Sequence, residues 1–225
     1  MQVARHTVIA LAMSALAIAA PRQAHAQFYY PNPSFDQRSV HVGISGGAAV
    51  PTGNFASDFD AGWSSDFNIA IPLGYHSPLW LQFDGAYSRF YASNQTLENF
   101  GANTGFASMT SGTANLVINL VQGHGRHSAP ITPYLIGGGG IYSRYIQVGN
   151  YTVYPVCNPY FGCGYAPGGT DVTFARTQTV GGWDAGGGLR FAAAPFRIFI
   201  ESRYNSALTR SGPSGFVPIT LGIEF

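Results

Sequence analysis

Apolar and polar residues alternate along most of this chain. In SVHVGISGGAAV, Val40, Val42, Ile44, Ala48 and Val50 share one parity, with His41, Ser45 and glycines between them. In GWSSDFNIAIPLGY, Trp63, Phe67, Ile69, Ile71 and Leu73 alternate with Ser64, Asp66 and Asn68. In LWLQFDGAYS, Leu79, Leu81, Phe83 and Tyr87 alternate with Gln82, Asp84 and Ser88. TANLVINLV sets Ala114, Leu116, Ile118 and Leu120 against Thr113, Asn115 and Asn119. A period of two is the mark of a strand with two unlike faces.

Four further segments follow. PYLIGGGGIYSRY reads as a strand, but its four glycines leave its facing open. TQTVGGWDAGGGLRF sets Trp183, Ala185, Leu189 and Phe191 against Gln178, Asp184 and Arg190, and FRIFIESRYN sets Ile198, Ile200 and Tyr204 against Arg197, Glu201 and Arg203. The last segment carries Val217, Ile219, Leu221, Ile223 and Phe225 on one face. Eight strands, an even number, place both ends of the sheet on one side. Short connections are expected after strands two, four and six. Longer ones are expected after one, three, five and seven, the longest covering about residues 147–176.

Composition decides what the apolar face meets. Soluble surfaces carry roughly 25–35% charged residues, whereas this chain has 9%, with 46% hydrophobic residues and 29 glycines. Beyond residue 26 no segment offers the ~20 continuous apolar residues of a membrane helix. Alternation without charge is the pattern of a membrane β-barrel. A soluble barrel with the apolar set inside would turn its other face to water, and Gly, Ser, Thr and Asn with few charges suit a small lumen better. An open sheet edge in lipid would leave backbone groups unsatisfied, so strand eight must close on strand one. The fold class expected is therefore all-β: an eight-stranded, antiparallel, up-and-down transmembrane β-barrel.

The first 26 residues read as a signal peptide: Arg5, the apolar run TVIALAMSALAIAA, and a small-x-small site at Ala24, His25, Ala26. Cleavage near Ala26 leaves a leader at residues 27–38, either a loose arm or a partial plug, and the barrel at residues 39–225. All 11 basic residues are arginine, against 10 acidic ones. Losing Arg5 and Arg22 with the signal leaves a nearly neutral chain, without the basic field that nucleic acid requires.

GAAVPTGNFASDF, PYLIGGGGIY, GWDAGGGLRF, IFIESRYN and VPITLGIEF, in this order, resemble the bacterial outer-membrane β-barrel domain family, the small eight-stranded porin-like group. The resemblance spans roughly residues 38–225 and implies an outer-membrane location. It also implies that the row Val217, Ile219, Leu221, Ile223 and Phe225 is the assembly signal read by the barrel-assembly machinery, besides being the closing strand.

Candidate chemistry is sparse. Cys157 and Cys163, in CNPYFGC within the longest loop, are expected to form a disulfide in an oxidising compartment. The bridge would stiffen a tip bearing Tyr160, Phe161 and Tyr165. His124 and His127 in HGRH, and Asp58 and Asp60 in SDFD, read as solvated turns and not as metal ligands. No catalytic residue, cofactor or metal site is expected, since none of the histidines past residue 26 is placed to meet an outer-leaflet substrate. The lumen is expected to hold Asp66, Asp84, Asp184 and Glu201 against Arg190 and Arg203, with Arg197 and Glu224 nearer the rim. An eight-stranded barrel is just wide enough for side chains to fill, so these charges must pair. Centring the FAAAPF turn between Ala193 and Ala194 puts Asp184 opposite Arg203, and the last hairpin puts Arg197 opposite Glu224.

The function expected is a non-enzymatic outer-membrane barrel with a filled lumen. Its partners would be outer-membrane lipid, the assembly machinery and an unknown extracellular ligand met by its loops, in surface interaction or envelope integrity. A narrow channel for small or apolar solutes is the alternative.

Overall fold

The computed structural model describes residues 40–74, 77–121, 131–158, 160, 162–193, 196–209 and 212–225. The expected signal peptide, the leader, His124 and His127 lie outside the described residues.

The alternating segments form eight antiparallel strands: β1 His41–Thr52, β2 Phe59–Pro72, β3 Leu79–Ala92, β4 Thr104–Asn119, β5 Ile131–Asn158, β6 Gly162–Ala193, β7 Phe196–Thr209 and β8 Gly212–Glu224. Each pairs with its neighbours in sequence, and β8 closes on β1. The seam has Ala48 opposite Ile219 and Val50 opposite Val217. It finishes with reciprocal backbone bonds between Val42 and Phe225, of 3.1 and 2.9 Å. Closure leaves no wall strand with an open edge, which a lipid-facing sheet requires.

The expected faces hold. Ile44, Phe67, Phe83, Leu116, Trp183, Ile200 and Leu221 point outward and are exposed, while His41, Ser64, Gln82, Asp84, Asn115, Asp184 and Glu201 are buried inside. The glycine-rich fifth strand now has a facing: Leu135 and Ile141 point out, Tyr134 and Tyr142 point in. Glycines of β6 make room for these two rings. A Cβ on Gly188 would stand 2.6 Å from the Tyr134 hydroxyl, and one on Gly182 would stand 2.7 Å from the Tyr142 ring.

Aromatic pairs mark two levels on the outer wall. Trp63 with Tyr87 (5.3 Å), Trp183 with Tyr204 (5.5 Å) and Phe106 with Tyr145 (5.9 Å) lie toward the end that carries the long β5–β6 hairpin. Phe196 and Phe225 (6.5 Å) lie at the end that carries the seam's last bonds. Two aromatic girdles flanking an apolar band are what a bilayer-spanning barrel presents.

The connections differ from expectation in three places. Residues 147–176 are not a loop: β5 and β6, of 28 and 32 residues, stay paired as a two-stranded ribbon out to Asn158 and Gly162. A ribbon in water has no need of an apolar face, so no alternation announces it. Similarly, β7 and β8 run on until only residues 210–211 separate them, whereas β4 and β5 are separated by residues 120–130.

Two short helices fold over the hairpin end. Helix α1, Phe55–Asp58, turns Phe55 into the barrel, where it is buried. Helix α2, Asn94–Phe100, starts at Ser93, whose hydroxyl accepts from the Thr96 N–H, and stops at Gly101 in the left-handed conformation (φ 59°). The Thr96 hydroxyl donates to the Asp58 carbonyl (2.9 Å), tying α2 to α1. Beyond α2, Asn103 caps the side of the ribbon: its Nδ2 donates to the Tyr151 carbonyl (3.0 Å) and its Oδ1 accepts from the Tyr151 N–H (2.6 Å).

Candidate functional site: the buried side chains of the lumen

Unlike groups of buried side chains succeed one another along the lumen. At the hairpin end, Phe55, Phe59, Phe90, Met109, Tyr142 and Phe216 form an apolar cluster with Ala49, Ala107 and Ala207. Phe90 meets Phe55 edge-on at 5.1 Å and Phe216 at 5.4 Å. Sequence reasoning did not identify this layer. Its signal was the loss of alternation at Arg89-Phe90-Tyr91, where an apolar ring sits at an inward position of β3.

Below it lies the charged layer. Arg203, buried on β7, gathers three carboxylates: its Nη2 is 2.9 Å from Asp84 Oδ1, its Nη1 3.8 Å from Asp184 Oδ1, and its Nε donates to Glu201. Amides and hydroxyls satisfy other lone pairs. Gln82 Nε2 and Asn115 Nδ2 each donate to Asp84 at 2.7 Å. The Tyr134 hydroxyl donates to Glu201 at 2.7 Å. The Tyr142 hydroxyl sits 3.3 Å from Asp184 Oδ2 and 3.2 Å from Asn205 Oδ1. Buried carboxylates held this way are compensated through both charge and hydrogen bonds. The two tyrosines escaped sequence reasoning because the glycine run hid the facing of β5.

Asp66 stands apart from the arginine, with Asn68 Nδ2 as its donor at 3.4 Å. It lines a cavity of about 30 Å³ with Asp84, Glu201, Arg203, Ser88 and Thr220. A space of this size holds about one water molecule.

At the seam end, Arg190 and Arg197 share Glu224 at 3.0 and 3.2 Å. Arg190 also donates to Asn119 Oδ1 (2.9 Å), and its guanidinium lies 4.0 Å from the centre of the Tyr134 ring. Arg190 thus belongs to this lower group and not to the Arg203 cluster. Trp80, Val117, Tyr134, Ile136 and Ala70 pack a second apolar cluster, and the His41 ring lies tilted against Trp80 at 4.9 Å.

Arg197 does stand opposite Glu224. The other expected pairing is corrected: Asp184 stands opposite Asn205, and Arg203 opposite Gly186. The turn between β6 and β7 is centred one residue later than assumed, which slides the register by two. A slip of two preserves facing, so Asp184 and Arg203 still meet, diagonally.

At the ribbon's end Cys157 and Cys163 stand opposite one another and are disulfide-bonded, with Cα atoms 3.9 Å apart. Tyr154, Tyr160 and Tyr165 around it are exposed. Asp58 and Asp60 are also exposed, and no group of three or more His, Cys, Asp or Glu among the described residues is arranged to hold a metal.

No protein-family model and no curated protein matches the chain. Solved structures do. Neisserial surface protein A is 15% identical with a TM-score of 0.50, over 82% of this chain and 95% of that one. Ail of Yersinia pestis, in complex with the heparin analogue sucrose octasulfate, is 13% identical (TM-score 0.41) over 83% and 99%. The outer membrane protein OprG of Pseudomonas aeruginosa is 10% identical (TM-score 0.44) over 84% and 97%. The closed eight-stranded antiparallel barrel, and the likeness to Neisserial surface protein A, give the chain the fold of the small bacterial outer-membrane barrels.

Proposed function

We propose that this protein is a non-enzymatic, non-conducting barrel of the outer membrane, delivered there after signal cleavage near Ala26, with its β5–β6 ribbon directed outward for surface contacts. The layered filling of the lumen carries this reading. A conducting pore needs a continuous aqueous path, and the apolar cluster around Phe90, the Arg203 cluster and the Trp80–Tyr134 cluster lie across it in series. The exposed tyrosines and disulfide of the ribbon favour contact with an extracellular ligand, since rigid aromatic side chains bury much area at little entropic cost.

The test has two arms. Refolded protein in planar bilayers should pass no steady current at neutral pH. Cells displaying the barrel should lose attachment when residues 152–168 are shortened to a turn. Stable ohmic steps from the unmodified protein would replace this reading with that of a narrow channel. Equal attachment by both forms would remove the contact role.

The outward row of Val217, Ile219, Leu221 and Ile223 on β8, with Phe225 just beyond it, is proposed as the assembly signal. Phe225 also supplies two seam hydrogen bonds, so its deletion should reduce folded, heat-modifiable barrel in the outer membrane and raise the degraded fraction. Unchanged folded levels would refute the signal role while leaving the barrel intact.

A further inference from the structure

Arg89 stands where a lipid-facing wall should have no charge. It shares the outward parity of Phe83, Tyr87 and Tyr91 on β3, while Ser88 and Phe90 on either side of it are buried in the lumen. Among the described residues it is the one basic side chain on the outward rows of the eight-stranded wall. Its strand partners are Trp63 and Ser108, placing it level with the aromatic pairs near the hairpin end. The guanidinium lies 4.0 Å from the centre of the Phe106 ring, and its Nε is buried without an acceptor. No carboxylate among the described residues forms an ion pair with it; Asp60, beyond a bulge in β2, does not reach it.

A cation kept at the rim of an apolar band, seated on an aromatic face and left without a protein counter-ion, has a defined requirement. Stacking holds the planar group flat and leaves its terminal N–H groups for an acceptor. At this level of a bilayer the anions present in quantity are head-group phosphates. We propose that Arg89, with Phe106 as its platform and Trp63, Tyr87 and Tyr145 around it, is a binding site for the phosphate of an outer-leaflet lipid. The proposal rests on the reading of the wall as lipid-facing. It goes beyond that reading by giving one position a lipid preference.

The test uses the refolded full barrel in phosphatidylcholine vesicles with and without phosphatidic acid. Heat-modifiable mobility confirms folding, and native mass spectrometry counts the lipids retained. Wild type should retain phosphatidic acid about fivefold over its share of the bilayer, the scale of one charge contact at a membrane surface. Arg89→Gln should bring that ratio to about one, while Arg89→Lys, which keeps the charge but not the planar group, should retain part of it. Equal enrichment in wild type and Arg89→Gln would overturn the proposal with the lipid-facing reading intact. Protein that fails to float with either kind of vesicle would overturn both.

Discussion

Replacing Arg203 by methionine should lower the unfolding free energy of the barrel by about 3–5 kcal/mol, the cost of breaking a buried charge cluster by removing one partner. Arg203 is the cation on which Asp84, Asp184 and Glu201 converge. Methionine keeps much of the volume, so the loss reports charge more than packing. Once the arginine is gone, three carboxylates share a low-dielectric space with only amide and hydroxyl donors, which cannot balance net charge. A second change should then act with the opposite sign. Glu201→Gln destabilises the native protein, because it removes an arginine partner, but recovers part of the loss in the Arg203→Met background, because one repelling charge disappears. Asp58→Ala, at an exposed position, should stay within about 0.5 kcal/mol. Urea titrations in vesicles, read by heat-modifiable mobility and compared in a double-mutant cycle, give all of these values. A midpoint for Arg203→Met equal to that of Asp58→Ala would show that the cluster contributes nothing to the fold.

The wall of this barrel was readable because a bilayer imposes a severe condition on it. Every second residue of a wall strand meets lipid, so Val42, Phe67, Phe83, Leu116 and Leu221 declare their face without reference to any partner. The lumen is under a weaker condition. It accepts Phe90 and Phe216 as readily as Asp84, provided the layer closes. An inward aromatic beside an outward one erases the alternation, and for that reason the plug at the hairpin end escaped notice. Glycine erases it as well. Tyr134 and Tyr142 sit at the two ends of a glycine run, and only the outward Leu135 and Ile141 reveal which way they point.

Register was legible to within one slip. The Ala193–Phe196 connection has no Asn-Gly or Asp-Gly pair to fix its turn type, and a shift of two residues keeps every side chain on its own face. Asp184 therefore lost its expected partner opposite, gained Asn205, and kept Arg203 on the diagonal. The ribbon beyond Gly149 carries no signal of period two, since both of its faces meet water. What the sequence did mark there was the cysteine pair, whose spacing suits a tip better than a long loop.

Phe90→Ala should be the most damaging single truncation in the hairpin-end layer, lowering stability by about 3–5 kcal/mol, and yet it should leave the barrel silent in planar bilayers. The ring is fully buried and stands between Phe55 and Phe216. Phe55 comes from α1 and Phe216 from β8, so Phe90 joins the loop cap to the wall. Relaxation of Phe216 into the gap is restrained because its backbone is fixed by the closed sheet, and this puts the cost toward the upper part of that range. Conduction depends on a different condition. Removing one ring opens the outer layer, but the Arg203 cluster and the packing of Trp80, Val117 and Tyr134 still lie across the path. A current requires all the layers to be breached together. Parallel measurements on refolded Phe90→Ala, of the urea midpoint and of single-channel current, separate the two effects. A large fall in midpoint with no steady current supports layers acting in series. Steady steps from this single variant would show that the aromatic plug alone keeps the barrel shut, and that the charged layer beneath it is already permeable.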